Sequence, residues 1–296
     1  MRDPFYRVPG METMQSSRQA AEAATFQSFA NCYLREINPG TPVVHRIPAG
    51  SVECIEWSLP RQQTLLRAEI LSASLCGPQH FGRLWVRAVS DAAWRQAEPM
   101  SALHLLIHEA YRQMEDGRTD ALRTFELELL MRVLDSYQQM ALYIEKASPP
   151  PQDEGHFIEA EQSLVFGHWQ HPTPKSRQGM TFWQQERYAP ELRGQFRLHY
   201  FAARESHVRQ ASAHGTDVQD IVRSQLGRSG GDVGAGSDEC LIPMHPLQAE
   251  ALLLDPDVQA LQRRGSLRHI GPAGPLFTAT SSAAMVPVSP LEVVLA

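Results

Sequence analysis

The stretch that decides the fold is TDALRTFELELLMRVLDSYQQMALYIEKASPPP, residues 119–151. Its apolar residues recur in steps of three and four, which is the spacing of one face of an α-helix. They are Leu122, Phe125, Leu129, Val133, Tyr137, Met140 and Ile144. Thr119 is a suitable N-cap, and three prolines at 149–151 cannot continue a helix. The pattern predicts a long helix over 119–146 with a core-facing stripe, followed by a domain boundary.

The residues before this helix change from helical to strand periodicity and back. Apolar residues at helical spacing predict helices over 12–36 and 101–114. Between them, four short stretches separated by Pro and Gly predict a small antiparallel sheet: Val43–Ile47, Val52–Trp57, Leu65–Leu71 and Arg83–Ala88. Residues 1–150 are therefore expected to form a helical domain with a small sheet.

The residues after the prolines are expected to form a second, β-rich domain over 151–296. Alternating apolar residues predict a strand over Gln195–Ala203 and a shorter one over Cys240–Met244, followed by a helix over Leu247–Leu254. Residues 224–238 contain five glycines and predict a mobile surface loop, whereas residues 283–296 show neither helical nor strand periodicity. The whole chain is predicted to have an α+β fold with antiparallel sheets.

Composition excludes several classes of function. The chain has 296 residues, with 27 Lys and Arg against 33 Asp and Glu, and its net charge of −6 disfavours nucleic-acid binding. No apolar run approaches the roughly 18 residues of a membrane span, and the first residues lack the apolar core of a signal peptide. The four cysteines form no CxxC pair, which is typical of a reducing compartment. We expect a cytoplasmic protein with no membrane or nucleic-acid partner.

The densest group of chemically active residues is GHWQHPTPKSRQG, residues 167–179. It contains His168, His171, Lys175 and Arg177, and no Asp or Glu occurs from position 165 to 185. Lys175 is one of only two lysines in the chain, beside 25 arginines. An ammonium is a point charge for a phosphate, and a guanidinium is a bidentate donor. The segment therefore predicts an anion site, with a solvated cationic surface as the plain alternative.

A metal site is a weaker interpretation of the same histidines. Zinc could use His168 and His171, but no nearby second pair of Cys or His completes a ligand set, so no metal ligands are predicted. His104 and His108 lie four residues apart on a predicted helix, yet the HExxH pattern of zinc proteases is missing. We expect them to be an ordinary pair of helical side chains.

Residues 167–179 resemble the GHxxHPxxKxRxG signature of the IucA/IucC-type synthetases, a family of NRPS-independent siderophore synthetases. Four further segments resemble that family in the same order along the chain: NCYLRE at 31–36, YAPE at 188–191, PMHPLQ at 243–248 and ATSS at 279–282. The first signature is specific and the others support it. Leu247 stands where the family has Trp.

The resemblance implies a thumb domain over 1–150 and most of a fingers domain over 151–296. It implies an enzyme that uses ATP and Mg²⁺ to adenylate a carboxylate, citrate or a derivative, and condenses it with an amine or alcohol. By the same resemblance, His168, His171, Lys175, Arg177, Thr280, Ser281 and Ser282 would bind the nucleotide. Lys175 and Arg177 would also act in catalysis.

The chain departs from the family after Ser282. The family's TSSxRT element continues with Arg and Thr, whereas this chain has Ala284 and Met285. The palm region has no counterpart, a pattern that a frameshifted or truncated reading frame would produce. Two alternatives follow: a catalytically inactive fragment that binds nucleotide or pairs with other chains, and an unrelated anion-binding module. Apolar surface left by a missing palm would favour a homo-oligomer.

Overall fold

A computed structural model describes the protein over residues 14–37, 43–46, 53–72, 74, 78–114, 119–147, 157–177, 179–211, 215, 217–227, 233–280 and 292–295. The chain forms two compact units. The first contains residues 1–147 and 164–179, and the second contains residues 148–163 and 180–296. The predicted second domain begins at residue 151 and includes residues 164–179. In the structure these residues are grouped with the first unit instead.

The first unit combines three helices with a five-stranded antiparallel sheet in sequential order. Its helices are α1 (Met14–Cys32), which continues as a π-helical turn over Tyr33–Ile37, α2 (Pro99–Gln113) and α3 (Thr119–Lys146). Its strands are β1 (Val43–Arg46), β2 (Glu53–Leu59), β3 (Thr64–Ser72), β4 (His80–Ala88) and β5 (Arg95–Ala97). The four predicted strands and three predicted helices are confirmed, and β5 was not predicted.

The core of the first unit lies where α1 and α2 meet one face of the sheet. Trp57, Leu59 and Leu66 are fully buried there, together with Leu106 and Ile107 of α2. Alternate residues of β2 and β3 face this core, since successive side chains of a strand point to opposite faces.

Helix α3 buries only part of its predicted stripe. Val133, Met140 and Ile144 are buried as predicted, but Phe125 is 56% exposed and Leu122 is half-buried. The expectation of one continuous core-facing stripe is wrong at Leu122 and Phe125, whereas Leu129 packs against the core as predicted. Leu122 and Phe125 line an open cavity instead.

The second unit is built on a three-stranded antiparallel sheet in the order β8-β6-β9. Its strands are β6 (Gln195–Arg204), β7 (Val208–Ala211), β8 (Glu239–Met244), β9 (Leu267–Thr278) and β10 (Glu292–Leu295), and β7 pairs with β10 in a separate ribbon. Its helices are α4 (Phe157–Gln162), α5 (Phe182–Tyr188), α6 (Val218–Gly227), α7 (Pro246–Leu254) and α8 (Pro256–Arg263). The α+β fold with antiparallel sheets is thus confirmed.

Helices cover both faces of this sheet. Tyr200 and Ala202 pack against α6 on one face, whereas Phe201 and Ala203 pack against α7 and α8 on the other. A strand covered on both faces has apolar residues at consecutive positions, which explains the run from Tyr200 to Ala203. The motif segments of the second unit lie around this sheet.

Two expectations for the second unit are corrected. Residues 224–227 were assigned to the glycine-rich loop but end α6, because Val218, Val222 and Leu226 form a buried helical stripe. Residues 283–296 were expected to lack strand structure, but Glu292–Leu295 pair with β7. Ser281, Ser282, Ala284 and Met285 lie outside the described residues. No helix in the described part of the chain is long and apolar enough to cross a membrane.

Candidate functional site

The cationic segment forms a turn-rich loop in the first unit, and α3 anchors its end. The backbone N–H of Lys175 donates to Oγ of the buried Ser136 at 2.9 Å. Asp135 Oδ2 accepts from Ser176 Oγ at 2.8 Å and from the backbone N–H of Arg177 at 2.7 Å. Two adjacent residues of α3 therefore fix three consecutive residues of the loop.

Both histidines of the loop adopt the same local geometry. Nδ1 of His168 accepts the backbone N–H of Gln170 at 3.3 Å, and Nδ1 of His171 accepts that of Thr173 at 3.1 Å. An imidazole that accepts at Nδ1 carries its proton on Nε2 when neutral. Both side chains are exposed. Each ring is thus oriented by its own turn and keeps an Nε2–H donor for a ligand.

A phosphate ligand is expected at the protein surface, but Lys175 is buried. Its side chain is only 4% exposed, and Nζ lies 5.8 Å from the centroid of the Tyr143 ring, within reach of a cation–π interaction. Arg177 is half-buried. The loop therefore presents imidazoles at its surface and has an ammonium in its interior.

Gly167 allows the loop to pack against this lysine. Its φ of +70° lies in the left-handed region, which favours glycine. A Cβ at this position would lie 3.0 Å from Lys175 Cε and 3.1 Å from the Pro174 carbonyl oxygen. The first glycine of the signature is therefore explained by backbone conformation and by close approach.

In the second unit, two of the other motifs, YAPE and PMHPLQ, come together beside strand β6. The His245 ring lies 5.0 Å from the Tyr188 ring and 4.4 Å from the Phe196 ring, centroid to centroid. His245 also caps α7, since its Nδ1 accepts the Leu247 N–H at 3.2 Å. Burial lowers the pKa of His245, although the nearby Glu250 carboxylate acts in the opposite direction. These contacts join the segments at 188–191, 196–201 and 243–248.

The start of the ATSS segment is attached to the same region. The Ala279 N–H donates to the Gly194 carbonyl at 2.8 Å, and Gln162 Nε2 donates to the Ala279 carbonyl at 2.9 Å. Thr280, the next residue, is buried. Of the predicted hydroxyl ligands, Thr280 thus belongs to the second unit, whereas His168, His171, Lys175 and Arg177 belong to the first.

Two histidine pairs lie outside the predicted nucleotide ligands. His199 Nδ1 and His269 Nε2 lie 3.1 Å apart on neighbouring strands, and the pKa of His269 is lowered by burial and by His199. Sequence analysis missed this pair because the two residues are 70 positions apart. His104 and His108 are stacked on α2, and His108 Nδ1 lies 2.8 Å from Glu126 Oε1, as expected of ordinary helical side chains.

No metal centre is evident in the described ranges. Among those residues, no group of three or more His, Cys, Asp or Glu side chains could hold a metal ion. Mg²⁺ commonly keeps several waters and binds through one or two carboxylates plus substrate phosphates. A site built entirely from side chains would therefore not be needed for Mg²⁺ that arrives with a nucleotide.

The fold and its assembled motifs define an α+β protein with a histidine-rich candidate anion site. Residues 156–283 match the IucA / IucC family. This match confirms the family predicted from the motifs, and over those residues the chain belongs to it.

The similarity extends beyond the matched segment. A spermidine-citrate ligase of Bacillus anthracis is 34% identical over 295 residues, which cover 91% of this chain and 48% of that protein. The rhizobactin siderophore biosynthesis protein RhbC of Rhizobium meliloti is 35% identical over 176 residues, covering 57% of this chain and 29% of that protein. The chain spans about half or less of the length of these relatives.

The fold is also similar to that of a solved structure, ATP-bound aerobactin synthetase IucA from Klebsiella pneumoniae. The TM-score is 0.68 at 23% identity, and the similarity covers 88% of this chain and 45% of that one. At this identity the comparison establishes the fold.

Proposed function

We propose that this chain acts in siderophore biosynthesis by ATP-dependent ligation of a carboxylate, citrate or a derivative, to an amine or alcohol. The family match and the relatives' names support carboxylate ligation. The observation that carries the nucleotide assignment is the repeated turn at His168 and His171 above the buried Lys175. In this proposal the two units correspond to the thumb and the fingers.

The proposed roles rest on the chemistry of each side chain and, for His168, His171 and Lys175, on the geometry of the loop. The Nε2–H groups of His168 and His171 donate to phosphate oxygens, and Arg177 supplies a charged donor. The Lys175 ammonium acts from within the loop, where low dielectric strengthens its field. Thr280, Ser281 and Ser282 add hydroxyl or backbone donors. Mg²⁺ bound to ATP would neutralise part of the charge of the phosphates.

The charges and hydrogen-bond donors of these residues would favour transfer of the adenylyl group from ATP to the substrate carboxylate. A carboxylate oxygen of the substrate attacks the α-phosphorus, and the bond to the bridging oxygen breaks, so pyrophosphate leaves with the electron pair. The amine or alcohol then attacks the acyl carbon and AMP leaves. Preorganised donors stabilise charge that develops on the phosphates, which is a large part of catalysis in such transfers.

The test is ATP–pyrophosphate exchange with citrate, together with nucleotide binding by calorimetry. Lys175→Met keeps the packing volume and removes the charge, and we expect nucleotide affinity to fall about ten-fold or more. Lys146→Met is the matched control, because Lys146 is the other lysine and is exposed at the end of α3. His171→Asn retains a turn acceptor but loses the outer donor, and should also reduce exchange.

The inactive-fragment alternative predicts a different result. Ala284 in place of the family's Arg favours it. Nucleotide binding that depends on Lys175, without exchange at saturating citrate, would support this alternative over ligation. Absence of nucleotide binding by the folded chain would contradict ligation and would leave only the form of the alternative in which the fragment pairs with other chains.

A further inference from the structure

A cavity of about 560 Å³ opens in the first unit, and its function is not accounted for by the proposed nucleotide site. The end of α1 and its π-helical turn, the end of α2 and the first half of α3 line it. Of the cationic-loop residues that the structure describes, only Pro172 contributes to the lining. Ligand cavities are commonly about 300–1,000 Å³, so this volume suits a small molecule.

The walls of the cavity are largely apolar and include four aromatic side chains. Phe29, Tyr33, Tyr111 and Phe125 all line it. Phe125 is 56% exposed and Met114, also in the lining, is 63% exposed. Large apolar side chains left in contact with water favour a ligand that covers them. The part of the α3 stripe that does not enter the core thus forms one wall of this cavity.

The charged groups of the lining favour a cation. Glu36 and Glu128 contribute carboxylates, whereas Arg132 contributes the one guanidinium of the described lining. Aromatic faces also attract cations, because their quadrupole places negative charge above the ring. Burial raises the pKa of Cys32 to about 11 and that of Tyr33 to about 12, so both lining groups are neutral at pH 7.

We propose that this cavity binds a small hydrophobic primary amine in its ammonium form. The alkyl or aryl tail lies among Phe29, Tyr33 and Phe125, and the ammonium lies near Glu36 and Glu128. A neutral molecule of the same shape would gain only the apolar contacts, and an anion would be repelled by the carboxylates. The binding requires neither nucleotide nor turnover, so it can fail or succeed independently of the proposed ligation.

The first experiment compares three ligands of the same tail length by calorimetry at pH 7.5. We expect n-hexylamine to bind more tightly than 1-hexanol, and hexanoate to bind more weakly than either. Equal affinities for hexylamine and hexanol would overturn the proposal, as would a preference for hexanoate.

The second experiment changes single charges. Glu36→Gln and Glu128→Gln should each weaken hexylamine binding about two- to five-fold, the range expected for one exposed ion pair, and leave hexanol binding unchanged. Arg132→Gln should tighten hexylamine binding, because it removes a like charge. Glu145→Gln, on the same helix but outside the lining, is the control. Equal weakening by Glu145→Gln and Glu128→Gln in folded proteins would overturn the proposal.

Discussion

The backbone N–H of Arg177 donates a hydrogen bond of 2.7 Å to Oδ2 of Asp135. The same oxygen accepts Ser176 Oγ at 2.8 Å. An acid-free cationic loop is thus fixed to the first unit by an acid from a helix about 40 residues earlier in the sequence. A carboxylate used in this way positions the loop through the Ser176 hydroxyl and the Arg177 backbone.

Replacing Asp135 should loosen this attachment. Asp135→Ala removes a carboxylate that accepts two hydrogen bonds from the loop and a longer one from Gln139, and we expect the free energy of unfolding to fall by about 2–3 kcal/mol. Asp135→Asn retains one acceptor oxygen and should lose about half as much. Urea denaturation measures both changes. Identical stabilities of the Ala variant and the wild type would show that these bonds do not hold the loop.

Gly167 and Gly179 allow a matched comparison of strain with crowding. Both have positive φ, +70° and +90°, but a Cβ on Gly179 meets nothing within 4 Å. Gly179→Ala should cost about 1–2 kcal/mol for the left-handed conformation alone. Gly167→Ala should cost about 1–3 kcal/mol more, because its Cβ also meets Lys175 and Pro174. Equal melting temperatures of the two variants would contradict this interpretation.

Gly194 is required by a close backbone approach in the second unit. A Cβ at this position would lie 2.4 Å from the Arg187 carbonyl oxygen. Gly194→Ala should destabilise the protein by about 1–3 kcal/mol and disturb the hydrogen bond that Gly194 accepts from Ala279. Gly236→Ala is the control, because its Cβ would meet only carboxylate side chains that can move. Chemical denaturation of both variants gives the comparison, and a Gly236 effect as large as that of Gly194 would refute it.

Stability should fall in mild acid because of His245. Burial lowers its folded pKa below the ordinary value of 6.5, so the unfolded chain binds the proton more readily. The resulting stability is present above pH 6.5 and is lost as pH falls through that value, by about 1.4 kcal/mol for each unit of pKa difference. Urea denaturation between pH 7.5 and 5.0 measures this loss.

The matched variant is His245→Asn, which retains an N-cap acceptor for α7 but does not titrate. Its free energy of unfolding should fall less over the same pH range. Some dependence should remain, because the pKa of His269 is lowered as well. If the variant and the wild type lose stability in parallel, His245 is not responsible.

Sequence patterns located the helices and strands whose apolar residues are regularly spaced along the whole element. Helix α3 was predicted at the observed bounds, and strand β6 within one residue. Strand β9 was missed, because the Gly-Pro pairs at 271–272 and 274–275 indicate turns. The structure accommodates them at the edge of the sheet, with register shifts in the pairing to β6. An edge strand tolerates proline, since no neighbour needs every N–H.

The sequence by itself determined the helix and strand periods, the antiparallel α+β class and the family, because these follow from local spacing and short motifs. Only the tertiary structure decided that Lys175 is buried, that Asp135 and Ser136 hold its loop, and that Phe125 lines a cavity. Burial and hydrogen-bond partnership depend on residues far apart in the chain. A periodic pattern describes which face is apolar, and the packing of other elements decides what that face meets.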